Sequence, residues 1–273
     1  MPPRSEYLME NSEEAIRLEV KTDPGKVREE ARWCGIGPGQ AVLDAGCGPG
    51  KTSLILHGMV QPGGSVLGVD YSPERIAYAD RHYRRGPNLQ FELHDLRDLS
   101  DRYSGRFDLV WARFVLEYNR VEGREIVRNL KECLKPGGTL CLIDLDHNCL
   151  GHFELPPGMA EVMEAVMRRV DEDFNFDTYA GRRLYAHLYD AGLEDIGVDV
   201  RAHHLIYGQV RDEELFNWTK KMEVAALRLP EMFAGYPGGA AAFERDFRAF
   251  FRDPRRFTYT PLVMARGRKR LTG

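Results

Sequence analysis

The stretch Val42-Leu43-Asp44-Ala45-Gly46-Cys47-Gly48-Pro49-Gly50 constrains the fold more than any other part of the chain. A short apolar run from Ala41 to Leu43 ends on an acid. Three glycines follow at alternate positions, and Lys51-Thr52-Ser53-Leu54-Ile55-Leu56 then reads as a helix. That is strand, tight turn, helix. Glycines let the backbone turn sharply and approach a ligand without Cβ atoms in the way. The helix directs its first N–H groups and the positive end of its dipole at the turn, which favours an anionic group there.

Three ligand loops share this outline. The dinucleotide fingerprint needs G-x-G-x-x-G, and Lys51 stands where its last glycine belongs. The phosphate-binding loop of NTPases needs G-x-x-x-x-G-K-S/T; Gly50-Lys51-Thr52 fits its end, and Ala45 replaces its first glycine. The third pattern is a hydrophobic pair, an acid, any residue and then G-x-G-x-G. Asp44, Gly46, Gly48 and Gly50 fit it without a gap, and here the chain resembles the class I S-adenosyl-L-methionine (SAM)-dependent methyltransferases.

The later acids separate these readings. Ser65-Val66-Leu67-Gly68-Val69-Asp70 is a second strand ending in an acid, and a carboxylate there can accept both ribose hydroxyls of an adenosine. A phosphate-loop NTPase has no general need of it. Such a protein does need an acid after a later strand to help hold magnesium, and Leu140-Cys141-Leu142-Ile143-Asp144 imitates that. The preferred expectation is a SAM-dependent methyltransferase acting on a small, partly apolar organic molecule. The alternatives are a P-loop NTPase built on Ala45 to Thr52, or a SAM-fold binding module without chemistry.

Length and charge fit that expectation. A chain of 273 residues suits one α/β domain with additions. Its formal net charge of −4 gives no electrostatic footprint for nucleic acid or an anionic membrane. The five cysteines, Cys34, Cys47, Cys133, Cys141 and Cys149, form no C-x-x-C pair and are odd in number. They support neither a zinc site nor a disulfide framework, and read as buried free thiols of a reducing cytosol. No signal-peptide pattern and no run of membrane-spanning length is present, so the expectation is a soluble, cytoplasmic protein. No metal is expected, because His203-His204 lie on a strand, one ring to each side, without a third ligand at metal spacing.

Periodicity lays out the rest. Helix 51–58, strand 65–70, helix 75–85, strand 89–94, strand 107–112, helix 122–134 and strand 139–145 alternate, which means right-handed crossovers and helices on both faces of a parallel sheet. The expected fold class is α/β, a Rossmann-like seven-stranded, mostly parallel sheet with an antiparallel last strand. Four parts are expected: an N-terminal helical lid (1–39), a SAM-binding core (40–207), a helical insertion (208–256), and the last strand with its tail (257–273). In the lid, Asn11 to Glu14 resembles a capping box and Asp23-Pro24 starts a further helix with Val27, Ala31 and Trp33 inward. Met159, Val162, Met163, Val166, Met167 and Val170 recur at helical spacing, which reads as core packing or as the adaptable wall of an apolar pocket. The acceptor pocket is expected among the lid, the loop 147–158, this stripe and the insertion.

The resemblance covers about residues 40–146 and extends loosely to the final strand. It is closest to the ubiquinone/menaquinone-biosynthesis type, through Phe107-Asp108-Leu109-Val110, Arg113-Phe114-Val115-Leu116 and Leu134-Lys135-Pro136-Gly137-Gly138. It implies SAM as cofactor and a set of contacts. Asp44 lies near the methionine amino group, and Ala45, Gly46 and Gly48 present backbone to the methionine part and ribose. Asp70 holds the ribose hydroxyls, Tyr71 lies against the adenine, Asp95 accepts from its amino group, and Leu96 offers a backbone N–H. Arg113 borders the methionine end, and Tyr7 and Arg17 are the lid residues that close over it. SAM carries its own activation, so alignment and desolvation are the protein's main tasks. A general base is needed only where the acceptor must lose a proton, and Glu117, His147 and His152 are the candidates.

Overall fold

Strand β1 (Ala41–Ala45) sits at the middle of the sheet, and its side chains divide between two cores. Val42 packs with one cluster, Leu43 and Ala45 with the other. Strand β4 (Phe107–Arg113) sorts in the same way, Leu109 and Trp111 to one side, Val110 and Ala112 to the other. This is the two-residue period of a strand buried on both faces. The computed structural model describes residues 22–271, so Tyr7, Arg17 and the expected capping box at 11–14 lie outside the described residues.

Strands β2 (Ser65–Asp70), β3 (Leu89–Leu93) and β5 (Leu134–Leu145) complete the parallel part, in the order β3-β2-β1-β4-β5. Helices α1 (Pro24–Cys34), α2 (Lys51–Val60) and α3 (Pro73–Tyr83) pack on the face that takes Val42. The short α4 (Ser100–Tyr103) and α5 (Gly123–Glu132) lie on the other. The chain order reverses between β2 and β4, on either side of β1, and a crevice opens there at the carboxyl ends of the strands.

Beyond β5 the chain builds a second block. Helix α6 (Pro157–Asp173) carries the methionine stripe, and all six of its apolar side chains are buried in a third core. Helix α7 (Ala180–Asp190) returns to the sheet. Strand β7 (Glu194–Tyr207) is followed by α8 (Asp212–Arg228) and α9 (Gly239–Arg252), which close the third core with Trp218, Phe243, Phe247 and Phe251. Strand β8 (Phe257–Arg268) then runs antiparallel between β5 and β7. The sheet has eight strands rather than seven, because the loop after β5 lays His152 and Phe153 along Thr258 and Phe257 as a two-residue β6 (His152–Phe153). Among the described residues no helix is long and apolar enough to cross a membrane.

Arg256 ties the helical block to the sheet. It is buried, and its guanidinium donates to the carbonyls of Phe251 (3.1 Å), Ile206 (2.8 Å) and Gly208 (3.2 Å). Phe247 is fully enclosed in this block, facing Phe243, Phe250 and Phe251. Replacing a buried Phe by Ala costs about 3–5 kcal/mol through lost transfer energy and the cavity left behind. Phe247→Ala is therefore expected to lower the unfolding free energy by about that much in a guanidinium titration. A loss below about 1 kcal/mol would show that this core is loosely packed.

Candidate functional site

The glycine loop owes its shape to contacts on both sides. Gly46 has φ +76°, and a Cβ there would meet Val115 Cγ2 at 2.6 Å; Gly50 has φ +93°, and its Cβ would meet Ala79 Cβ at 2.7 Å. Both positions therefore demand glycine, for conformation and for space. The first N–H groups of the loop turn inward. Gly46 and Cys47 donate to the carbonyl of Val69 (2.8 and 2.9 Å), and Gly48 donates to Asp70 Oδ2 (3.0 Å). These groups are committed to β2, and a carboxylate stands beside them. That arrangement does not suit a phosphate cradle, which needs N–H groups aimed at the anion.

Asp70 closes β2 and is buried. Besides Gly48 it accepts from the Ser72 N–H at Oδ1 (2.9 Å), and Arg75 Nη1 lies 3.9 Å from the same oxygen. An ionised carboxylate offers about four acceptor sites, so two remain for a ligand. Asp44 lies behind the loop, also buried, and accepts the Ser53 hydroxyl at 2.6 Å. Burial pushes its carboxyl up to about 7, against the Ser53 hydrogen bond, and the nearby Asp70 charge adds to the rise.

The crevice is lined by the loop (Gly46, Cys47, Gly48), by Asp70, Tyr71 and Leu96, and by the turn after β4, Arg113 to Asn119 excluding Leu116. Pro49, Thr52, Arg75, Leu145, Thr22 and His203 complete the wall. Of the sequence-predicted residues, Gly46, Gly48, Asp70, Tyr71, Leu96, Arg113 and Glu117 meet here. Asp44 and Ala45 lie buried behind them. Asp95 borders an adjoining concavity with Tyr71, His94 and Arg97, and its carboxylate is gripped by Arg97 (Nη2 to Oδ2, 2.7 Å). Arg113 is held by the buried Glu30 (Nε to Oε2, 2.7 Å) and lies 4.1 Å over the Phe114 ring. That ion pair couples α1 to the crevice wall.

The turn after β4 is fixed by a second strand-end acid. Asp144, buried at the end of β5, accepts from the N–H groups of Leu116 (2.8 Å) and Glu117 (3.2 Å). Burial, with Glu117 close by, holds the Asp144 carboxyl well above the usual carboxylate range. Phe114 adopts φ +58°, a left-handed conformation that a bulky side chain rarely takes. Glu117 is 3% exposed, lines the crevice, and accepts from Asn148 Nδ2 at 3.1 Å.

The two candidate histidines sit elsewhere. His147 stacks on Tyr179, ring centroids 5.8 Å apart, and does not line the crevice. His152 is directed into the third core by its pairing in β6; its Nδ1 lies 2.8 Å from Thr258 Oγ1, and its ring is 4.9 Å from Trp218. Burial lowers it to about 4. His203 and His204 do not point to opposite sides. A register shift between Ala202 and His204 breaks the alternation and brings their rings to 4.4 Å, with His203 on the crevice against Phe114. Neither the loop 147–158, the methionine stripe nor the insertion 208–256 contributes to the lining among the described residues. Sequence reasoning missed Glu30, Asn148 and the real use of Asp144. Their partners are distant in the chain, and nothing in their spacing marks them.

A parallel sheet with its crevice at the strand switch, a glycine bend and an acid ending β2 is the Rossmann-like arrangement, in which ligands bind outside the carboxyl ends of the strands. Residues 42–138 match the family described as methyltransferase domain. The chain is 30% identical over 131 residues to the ubiquinone biosynthesis O-methyltransferase of Erwinia tasmaniensis, covering 48% of this chain and 52% of that one. A putative methyltransferase of Bacillus halodurans shares the fold with TM-score 0.59 and 15% identity, over 90% of this chain and 99% of the other. A phosphoethanolamine N-methyltransferase of Haemonchus contortus, solved with SAM, shares it with TM-score 0.55 and 18% identity, over 90% and 52%. Residues 42–138 thus carry a methyltransferase domain, in a fold shared with solved methyltransferases. The chain spans about half the length of the curated relatives it matches.

The Asp44 carboxyl yields a pH test. Its folded pKa of about 7 stands above the ordinary aspartate value of 3.8, so its ionisation opposes folding. The penalty begins above pH 4, grows as the pH rises and is complete above 7. Asp44→Asn keeps an acceptor for Ser53, and is expected to stabilise the protein at pH 8 by on the order of 4 kcal/mol. The gain shrinks as the pH falls toward 4. Equal gains in denaturation midpoints at pH 5 and pH 8 would contradict the burial argument.

Proposed function

We propose that the chain transfers the methyl group of SAM to a small, partly apolar organic molecule by in-line displacement. The observation that carries this reading is one continuous crevice with two different ends. One end has the bare backbone of the glycine loop and the free acceptor sites of Asp70. The other has Phe114, Val115, Tyr118 and Leu145 around the carboxylate of Glu117. Val115 packs directly on Gly46 between them, where a Cβ would come within 2.6 Å of its Cγ2.

SAM supplies an electrophilic methyl on a sulfonium, so the chain's own groups have positional tasks. Asp70 accepts the ribose hydroxyls, and Tyr71 and Leu96 bound the adenine. The pair Arg113–Glu30 holds α1 against the methionine end. The apolar wall excludes water and aligns the acceptor, which reduces the entropy that the encounter must lose. Glu117 is the candidate base, since it alone of the three sequence candidates reaches the crevice. It takes a proton from an acceptor hydroxyl or amine as attack proceeds, and Asn148 fixes its orientation. The named relatives methylate unlike acceptors, so the fold leaves the acceptor atom open. All five cysteines are buried free thiols, which supports a reducing compartment such as the cytosol. The separation into lid (1–39), core (40–207), insertion (208–256) and final strand with tail (257–273) remains part of this proposal.

Calorimetry with SAM and S-adenosyl-L-homocysteine tests the donor end. Asp70→Ala removes charge-assisted hydrogen bonds of roughly 1.5–3 kcal/mol each, so the affinity for both ligands is expected to fall at least tenfold. Lys51→Ala is expected to leave it within about twofold of the parent. Unchanged affinity in Asp70→Ala, or loss only in Lys51→Ala, sinks the placement. At the acceptor end, Glu117→Gln is expected to keep SAM affinity while turnover falls roughly 100-fold or more on a protic acceptor. A variant with full turnover would remove Glu117 from the chemistry.

A further inference from the structure

Strand β7 is 14 residues long and forms the edge of the sheet beside β8. Its two faces differ sharply past the register shift at Ala202. Ile206, Thr258 and Thr260 turn toward the helical block and are 0–3% exposed. On the opposite face Leu205 stands across from Tyr259, and Tyr207 across from Phe257. Phe153 of β6 flanks Phe257 from the other side. These five side chains are 41–66% exposed, and Val200, further along β7, is 61% exposed. The burial of the inner face at the same positions shows that the strands are fully formed there. Helix α7 covers the outer face near Val263, where Gly181 rests against Val263 Cγ2, and it starts too late to reach Pro261 and beyond.

We propose that this face is the interface of a two-fold symmetric dimer of the chain. A fully covered aromatic side chain buries about 150–250 Å², so six side chains at this exposure offer roughly 600 Å². That is the upper end of what a monomer leaves uncovered. With a rim of polar atoms it approaches the ~800 Å² per partner of a stable interface. A two-fold axis sets the strip against its own copy, so no second complementary surface is required. The rim suits this too. Arg255 pairs with Glu154 beside Phe153, and two related rims can exchange such pairs. A rim of both signs does not favour an anionic lipid surface. The contact is face to face rather than edge to edge, because the register shift interrupts the β7 edge and Lys26 Nζ already donates to the His203 carbonyl there (3.1 Å).

Sedimentation velocity of the full chain at tens of micromolar tests the proposal. The expected mass is twice that of one chain. Tyr207→Glu and Phe257→Glu, both exposed, are each expected to shift it to a single chain, with unchanged far-ultraviolet circular dichroism. Phe216→Glu, exposed on α8 across the sheet, is expected to leave the dimer intact. A monomeric parent, a dimer that survives both face variants, or one that Phe216→Glu dissociates would each overturn the proposal. Recruitment of a monomeric parent to vesicles would likewise overturn it.

Discussion

The grip of one carboxylate on the loop of a neighbouring strand underlies the rest of this site. Asp70 ends β2, yet it binds the N–H of Gly48, which follows β1. The hydrogen bond fixes the bend after β1 relative to the sheet and commits the loop's N–H groups inward. It also aims the remaining acceptor sites of a buried carboxylate at the crevice. Asp144 repeats the device three strands away. It ends β5 and binds N–H groups in the turn after β4. The two turns that wall the crevice are thus both held by acids on adjacent strands. Hydrogen bonds from N–H groups offset part of the cost of burying such acids.

The charge pattern follows from the same arrangement. Asp44, Asp70, Glu117 and Asp144 all lie at the carboxyl end of the sheet, each with an N–H, amide or hydroxyl donor. Arg113 faces this group but is engaged by Glu30. Two carboxylates, Asp70 and Glu117, and two guanidinium groups, Arg75 and Arg113, line the crevice among the described residues, with Arg75 3.9 Å from Asp70. The carboxylate of Asp70 stands where the N–H groups of the loop would have to meet a phosphate. The glycine loop of this chain is therefore unlike a phosphate cradle despite the near match from Ala45 to Thr52. Lys51 begins α2, and the loop ahead of it is committed to β2.

The central sheet was legible because its signals are local. Apolar runs ending on Asp44 and Asp70, glycines at alternate positions and proline caps all act within a few residues. The face-sorting of Val42 and Leu43 is a direct consequence of strand period. Features that arise from distant pairing escaped. Glu30 gains meaning only where α1 meets Arg113, and Asn148 only where its loop meets Glu117. His152 was misplaced because a two-residue strand has no periodicity to read. His203 and His204 depart from simple alternation because the register shift depends on the partner strand β8. The methionine stripe was ambiguous in sequence, since core and pocket walls share the same residues; contact with α8 and α9 resolves it toward core. Tyr7 and Arg17 fall outside the described residues and keep the status of expectations.

The most direct measurement follows the backbone amides of Gly46, Gly48, Tyr71 and Leu96 by nitrogen-edited NMR during titration with S-adenosyl-L-homocysteine. The account predicts saturable shifts at these amides at stoichiometric ligand, with magnesium ATP producing none. Saturable shifts with magnesium ATP at Gly50, Lys51 and Thr52, and none with S-adenosyl-L-homocysteine, would contradict it.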